Sequence, residues 1–363
     1  MYQMVNPELI QLVGELQRKM NANLDTYHTV SPGIHRAPAL LPILISRSHQ
    51  LSISLLNKHT LTYGLTHVKF STLLLLFRTR EHQLTMTEIS QQKHVTRTNI
   101  TNLVDALEKD HFVVRQKDPN DRRSALIHLT KKGIEVILEH LQAYWDRQKW
   151  MFDGLASEEQ EDLFLLLCRL IAALQEKSSE ESPLLEKELV TEQALQVQQM
   201  MSSILDSYQE VTPGIHRSSA ALSILLARAY NLTIFQLNKH TMDIGLSHAK
   251  FSTLLLLFRS KGQNLSMTEI SQQKNVTKTN ITKLIDGLEQ YGFVQRVKDP
   301  TDRRSSLVQL TDHAKTFIPA QLQEYWDKQK WVFDGLEEQE QEKLLQLLFP
   351  LLANLQLKEK MEE

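Results

Sequence analysis

The stretch MTEISQQKHVTRTNITNLVDALEKDHFVVRQKDPNDRRSALIHLT, residues 86–130, decides the fold. Thr85 and Glu88 at its start form a Thr-x-x-Glu capping box, in which each side chain satisfies the other residue's free backbone donor, so a short helix begins there. KHV, residues 93–95, reads as a turn, and Thr96 opens a second helix over 96–110 as its N-cap. In that helix Ile100, Leu103, Val104 and Leu107 follow the i, i+3, i+4, i+7 spacing of a buried stripe. The opposite face carries Thr98, Asn102, Asp105 and Lys109, with Thr101 beside it and Arg97 and Asn99 flanking its first turn. Strands over 112–117 and 125–130 then bracket Asp118-Pro119-Asn120-Asp121, a turn in which proline fixes the backbone. Arg122 and Arg123 follow at once.

Helix, tight turn, helix and a hairpin with a charged tip is the order of a winged helix-turn-helix, whose second helix enters the major groove of DNA. The exposed first two turns of that helix are short, polar and uncharged or basic, and the first acid, Asp105, arrives only in the third turn. A helix that directs its positive N-terminal end at phosphates and base edges needs such a face. A solvated polar face looks the same, so the helix alone does not decide. The hairpin arginines add weight, because guanidinium forks fit phosphates and narrow minor grooves. Charge is distributed to match: residues 85–132 sum to +3 and residues 266–313 to +1, against −8 over residues 154–206.

The whole arrangement occurs twice. MTEISQQKNVTKTNITKLIDGLEQYGFVQRVKDPTDRRSSLVQLT spans residues 267–311, and residues 26–155 align with 207–336 at an offset of 181, without a gap and with 77 of 130 positions identical. A repeat of that length is a duplicated domain rather than a solenoid unit. The counterparts of the DNA-facing candidates are Lys278, Thr279, Asn280, Thr282, Lys283, Arg303 and Arg304. We expect a first copy over residues 1–176 with its winged helix at about 66–130. A polar linker follows at 177–183, and then a second copy over 184–363 with its winged helix at about 247–311. Each copy has a helical leader (7–24 and 184–205), and helices are expected in the first at 42–59, 67–79, 132–152 and 157–175. In that last segment Leu163 to Leu167, Leu170, Ile171 and Leu174 cover nearly the whole helix circumference and require burial. Leu344, Leu345, Leu347, Leu348, Leu351 and Leu352 pose the same need in the second copy. The copies differ at Arg97 against Lys278 and at Asn102 against Lys283, which predicts an imperfect palindrome beneath them.

Composition bounds the alternatives. The chain has 363 residues and a net charge of −2, so any nucleic-acid argument must be local. A single cysteine, Cys168, excludes a disulfide framework and suits a reducing compartment. It lies in an apolar run, which reads as a core thiol rather than a redox sensor. The N-terminus lacks a basic start before an apolar run, and the longest uninterrupted apolar run, residues 163–168, is too short for a bilayer, so a soluble cytoplasmic protein without membrane contact is expected. No nucleophile elbow, phosphate-cradling glycine loop or His-Glu-x-x-His is present, and the histidines lack metal-ligand spacing. The sequence therefore predicts no enzyme, no cofactor and no metal.

On these motifs, together with the trailing GLASEEQEDLFLLLCRLIAAL of residues 154–174, both copies resemble the MarR family of bacterial transcription regulators. The resemblance runs from about residue 42 to 175 and from about 223 to 356. It implies a mainly α fold with small β-hairpin wings: two winged helix-turn-helix domains joined by a helical dimerisation-type bundle. Family members pair as homodimers whose first and last helices interleave, and they read palindromic operators. This chain would thus be a monomer acting as a single-chain pseudo-dimer, a sequence-specific repressor of double-stranded DNA. The resemblance also implies release by a small anionic or phenolic effector bound in each copy, with His35, Arg36, His59, His67, His216, Arg217, His240 and His248 as candidate contacts. Structural histidines are the competing reading of these residues. The family commonly places glycine after the recognition helix. Gly292 fits, whereas the first copy has His111, at a cost of about 1 kcal/mol. Pro38, Pro42, Pro319 and Pro350 are expected to kink their helices. A protein-interaction module of the anti-repressor kind, keeping the fold without DNA reading, is the alternative.

Overall fold

The computed structural model describes residues 6–28, 30–79, 81–93, 97–118, 125–178, 187–274, 276–299 and 306–362. In the first copy the elements are α1 (Pro7–His28), α2 (Arg36–Leu61), α3 (His67–Phe77), β1 (Gln83–Thr85), α4 (Met86–Lys93), α5 (Arg97–Lys109), β2 (Val113–Lys117), β3 (Ala125–Leu129), α6 (Lys131–Phe152) and α7 (Ser157–Glu176). The second copy repeats them as α8 (Lys187–Gln209), α9 (Arg217–Met242), α10 (His248–Arg259), β4 (Asn264–Ser266), α11 (Met267–Lys274), α12 (Lys278–Gln290), β5 (Val294–Lys298), β6 (Ser306–Leu310), α13 (Asp312–Phe333) and α14 (Glu338–Lys360). Both sheets are antiparallel and three-stranded, ordered β1-β3-β2 and β4-β6-β5. Among the described residues the chain is therefore mostly helical with two small sheets.

Two compact units form, and each draws on both copies. One comprises Met1–Gln50, Arg169–Ala194 and Arg228–Ala353; the other comprises Leu51–Cys168, Leu195–Ala227 and Asn354–Glu363. In the first unit, the leader of copy one closes the winged helix of copy two. Leu16, Met20, Leu24 and Tyr27 form the buried stripe of α1. Tyr27 donates its hydroxyl to the Leu255 carbonyl of α10 at 2.7 Å, and its ring lies 5.6 Å from that of Trp326. In the second unit Tyr208 of α8 does the same for copy one, donating to the Leu74 carbonyl of α3 at 2.8 Å with its ring 5.2 Å from Trp145. Burial holds both phenols above the ordinary tyrosine range, so both stay protonated as donors.

The closing helices cross over in the same way. In the first unit Lys177, just past α7, donates to the Trp331 carbonyl and the Asp334 carboxylate at the end of α13, with its ammonium 4.2 Å from the centre of the Trp331 ring. In the second unit the equivalent Lys358 of α14 pairs with Asp153 at 2.8 Å over Trp150, and Asn354 donates to the Met151 carbonyl at 2.9 Å. Lysine satisfies the last carbonyls of a helix and complements its negative end.

The expected burial of the closing helices is present, with one correction: Leu165 is 42% exposed, so α7 is not apolar-packed all round. Cys168 is buried. The prolines do not end their helices. Pro38 lies in the first turn of α2, where no backbone donor is needed, and α2, α13 and α14 run on through Pro42, Pro319 and Pro350. Helices α2 and α9 are long and apolar enough to cross a membrane by length and composition, with 18-residue windows of mean hydropathy 1.2 and 1.3. More than half of each window, 61% and 56%, is buried by protein, the pattern of a core helix. The uninterrupted apolar runs gave no hint of this, because polar residues punctuate both windows.

His49 of α2 and Tyr230 of α9 stack in the first unit with ring centroids 4.4 Å apart. Burial lowers the His49 imidazole to about 4. Its folded value lies below the unfolded one of about 6.5, so the unfolded chain binds more protons between these limits and stability falls as pH drops through that window. In urea titrations at pH 7 and pH 5, His49→Phe should remove up to about 2 kcal/mol of the acid destabilisation shown by the unsubstituted protein.

Candidate nucleic-acid interface

Each winged helix is assembled by local chemistry that the sequence announces. The capping boxes form: the Thr85 amide donates to Glu88 at 2.7 Å and the Glu88 amide to the Thr85 hydroxyl at 3.1 Å. Ser266 and Glu269 repeat this at 2.8 and 3.2 Å. Thr277 caps α12 by accepting from the Asn280 amide at 3.4 Å, whereas Thr96 lies outside the described residues. Along the apolar stripe of each second helix, Ile100, Val104 and Leu107 are buried, as are Ile281, Ile285 and Leu288. Leu103 is only partly buried.

Burying that stripe turns the opposite face outward. Thr98, Asn99, Thr101 and Asn102 of α5 are exposed, and so are Thr279, Asn280, Thr282 and Lys283 of α12. Arg122, Arg123, Arg303 and Arg304, and the side chains of Arg97 and Lys278, lie outside the described residues.

The acids on these helices are held by an arginine that the sequence motifs did not single out. Arg115 of β2 bonds Glu108 at 2.5 Å and also pairs with Asp105. Arg296 of β5 pairs with Asp286 at 2.5 Å and with Glu289. One arginine per wing thus pairs with both carboxylates on its helix and ties the hairpin to it. The signal was available: acids three apart on one helix turn, followed by an arginine in the next strand. Lys69 does similar work on α3, bonding Asp110 at 2.5 Å and holding that carboxyl below its usual range. The short strands β1 and β4 were also missed. With three residues each they carry no readable alternation, and they exist because β3 and β6 offer free edges, as in the Leu84–Ile127 pairing.

The eight candidate effector contacts scatter. His35 is exposed; Arg36 pairs with Glu342 at 2.7 Å; His216 meets Asp146 at 3.1 Å; Arg217 meets Asp206 at 2.7 Å. His59 contacts the Ala143 carbonyl at 3.1 Å, His67 stacks near Tyr144, and His240 packs edge-on against Trp331. His248 alone of the eight lines the large cavity, and desolvation lowers its imidazole to about 3.

That cavity, about 340 Å³, lies wholly within the first unit. Lys19, Arg47, Arg259 and Lys274 line it, Tyr27, Tyr230, Tyr325 and Trp326 supply aromatic wall, and no carboxylate is among its lining residues. Arg47 is fixed by donating to the Gln273 carbonyl at 2.8 Å, and Lys274 by donating to Ser252 at 2.7 Å. Burial, and then the neighbouring Arg259 and Arg47, lower Lys274 to about 8. Mutually unfavourable cations around a partly apolar space favour an anion within it. Lys274 and Val276 of the lining also flank the turn from α11 into α12.

Two helices at a tight turn, an outward polar helix face and a hairpin clamped beside it define a winged helix-turn-helix protein, here in duplicate. The sequence profile of the MarR family matches residues 65–125 and 246–306. The transcriptional repressor YetL of Bacillus subtilis is 34% identical over 132 residues, 34% of this chain and 79% of that protein. The regulator PrsX of Escherichia coli is 37% identical over 119 residues, 32% and 70% of the two chains. Among solved structures, the MarR family regulator Sco3205 of Streptomyces coelicolor, in complex with DNA, matches at 26% identity over 32% of this chain and 73% of its own, with a TM-score of 0.30. The chain belongs to the MarR family, whose members are transcriptional regulators and not enzymes.

Two outcomes follow from the local geometry. His111 adopts a left-handed backbone, φ 64°, where the second copy has Gly292 at φ 71°. Replacing His111→Gly should raise the unfolding free energy by about 1 kcal/mol, read as a shift in denaturation midpoint at unchanged slope. Arg115→Ala should free the wing: discounting for partial exposure, a loss of about 1 kcal/mol would speed amide exchange in Val113–Lys117 roughly fivefold.

Proposed function

We propose that the chain is a cytoplasmic repressor that grips a pseudo-palindromic operator with both winged helices, acting alone as a pseudo-dimer. The observation that carries this is the twin recognition face: α5 and α12 each turn an exposed, acid-free pair of N-terminal turns outward. Thr98, Asn99, Thr101, Asn102, Thr279, Asn280, Thr282 and Lys283 face the bases. Arg97, Lys278 and the wing pairs Arg122/Arg123 and Arg303/Arg304 take phosphates and the minor groove. Half-site centres lie roughly 10 bp apart, one turn of the duplex. The linker at 177–183 joins the two copies and holds each at high effective concentration for the other. The repressor name borne by YetL supports the direction of regulation.

The cationic, aromatic-walled cavity is the effector site. A small aromatic anion would meet Arg47, Arg259 and Lys274 there, beside the turn that sets α12, and would bias that turn away from the DNA-reading arrangement.

Titration of the protein against duplex from its own upstream region tests both parts. Affinity should fall roughly a thousandfold between 50 and 200 mM salt, and Arg122→Ala with Arg123→Ala should flatten that dependence. Millimolar benzoate should weaken binding by the unsubstituted protein and leave Arg47→Gln unaffected. Salt-independent binding, or no retardation of any upstream duplex, would sink the DNA reading; an equal benzoate response in Arg47→Gln would sink the effector site.

A further inference from the structure

Asn102 and Lys283 occupy equivalent places, 181 residues apart, on α5 and α12. In the described part of the first two turns the faces otherwise agree: Thr98 with Thr279, Asn99 with Asn280, Thr101 with Thr282. Both side chains are exposed, and among the described residues neither forms a hydrogen bond or an ion pair. The nearest acids on each helix, Asp105 and Asp286, are engaged by Arg115 and Arg296, so neither competes for the Lys283 ammonium or the Asn102 amide. Each side chain is therefore available to whatever meets the helix.

Their chemistries differ in kind. An asparagine carboxamide offers a donor and an acceptor side by side and matches the N6/N7 edge of adenine. A lysine ammonium only donates and matches the O6/N7 acceptors of guanine. Resting on the DNA reading proposed above, we infer that Asn102 and Lys283 are specificity-determining residues that make the operator asymmetric. An A·T pair lies under Asn102 and a G·C pair lies under Lys283, so the chain binds its operator in one orientation. A homodimer of identical copies has no means of telling the two ends of its site apart; a fused pair with one differing reader does.

Selection from a random duplex library with the full-length protein tests this. The unsubstituted chain should enrich an inverted repeat whose halves differ at one position, adenine in one and guanine in the other. Asn102→Lys should convert both halves to guanine, and Lys283→Asn should convert both to adenine. Each variant should prefer its own symmetrical site over the unsubstituted one by on the order of tenfold. Circular dichroism of each variant establishes that it is folded. A perfectly symmetrical motif from the unsubstituted chain overturns the inference. So does a variant that changes overall affinity without changing the base preference, because Lys283 would then contact phosphate alone. If no duplex is enriched by any of the three, the DNA reading itself fails and this inference with it.

Discussion

A tyrosine hydroxyl carried by one copy and received by the other is the constraint on which the rest of the architecture depends. A buried phenol must find an acceptor or lose the free energy of its lost hydration. Tyr27 and Tyr208 find theirs in the carbonyls of Leu255 and Leu74, on helices that belong to the opposite copy. Once those bonds form, α1 and α8 cannot fold back on their own winged helices, and the unit that results is one copy's reader closed by the other copy's leader. Lys177 and Lys358 repeat the exchange at the far end of the copies, over Trp331 and Trp150. A single copy of this sequence would leave its α3 or α10 face uncovered and its leader stripe without a partner.

The same closure builds the cavity. Its walls come from α1 and the start of α2 on one side and from α9, α10 and α13 on the other, so neither copy could form it from its own residues. Lys274 and Val276 of its lining lie where α11 leads into α12, so the cavity and that junction share residues. In that winged helix Arg296 extends the linkage from the helix to the hairpin.

Much of this was legible in the sequence, and what was not has physical reasons. The capping boxes, the stripe of Ile100, Val104 and Leu107 and the duplication are local or self-referential patterns, and they read directly. His111 was recognised as standing where a left-handed residue belongs. A helical leader over 7–24 was read, but not its buried stripe of Leu16, Met20, Leu24 and Tyr27; the acceptor of Tyr27 lies 228 residues away, and only the family resemblance suggested that first and last helices interleave. Prolines were expected to kink three helices: Pro38 lies in a first turn, where no backbone donor is needed, and the helices continue past Pro42, Pro319 and Pro350. Eight residues were put forward, on the family resemblance and shared sequence, as contacts for a pocket in each copy, and of these the fold brings only His248 to the cavity, since positions common to two copies reflect the duplication as readily as a ligand. The cations that do line it, Arg47, Arg259 and Lys274, sit on three different helices with no spacing to connect them.

His49 and Tyr230 are counterparts, 181 residues apart, yet they stack on one another. In an assembly of identical copies the residue at such a position would meet its own twin. Two imidazoles there would each resist losing water beside a second titratable ring, and two phenols would each need a separate acceptor. The unlike pair avoids both difficulties, one neutral ring lying flat against the other. The seam between the copies has therefore become a heterotypic fastening, which rewards first-with-second matching over first-with-first, and which no chain of equal halves could reproduce.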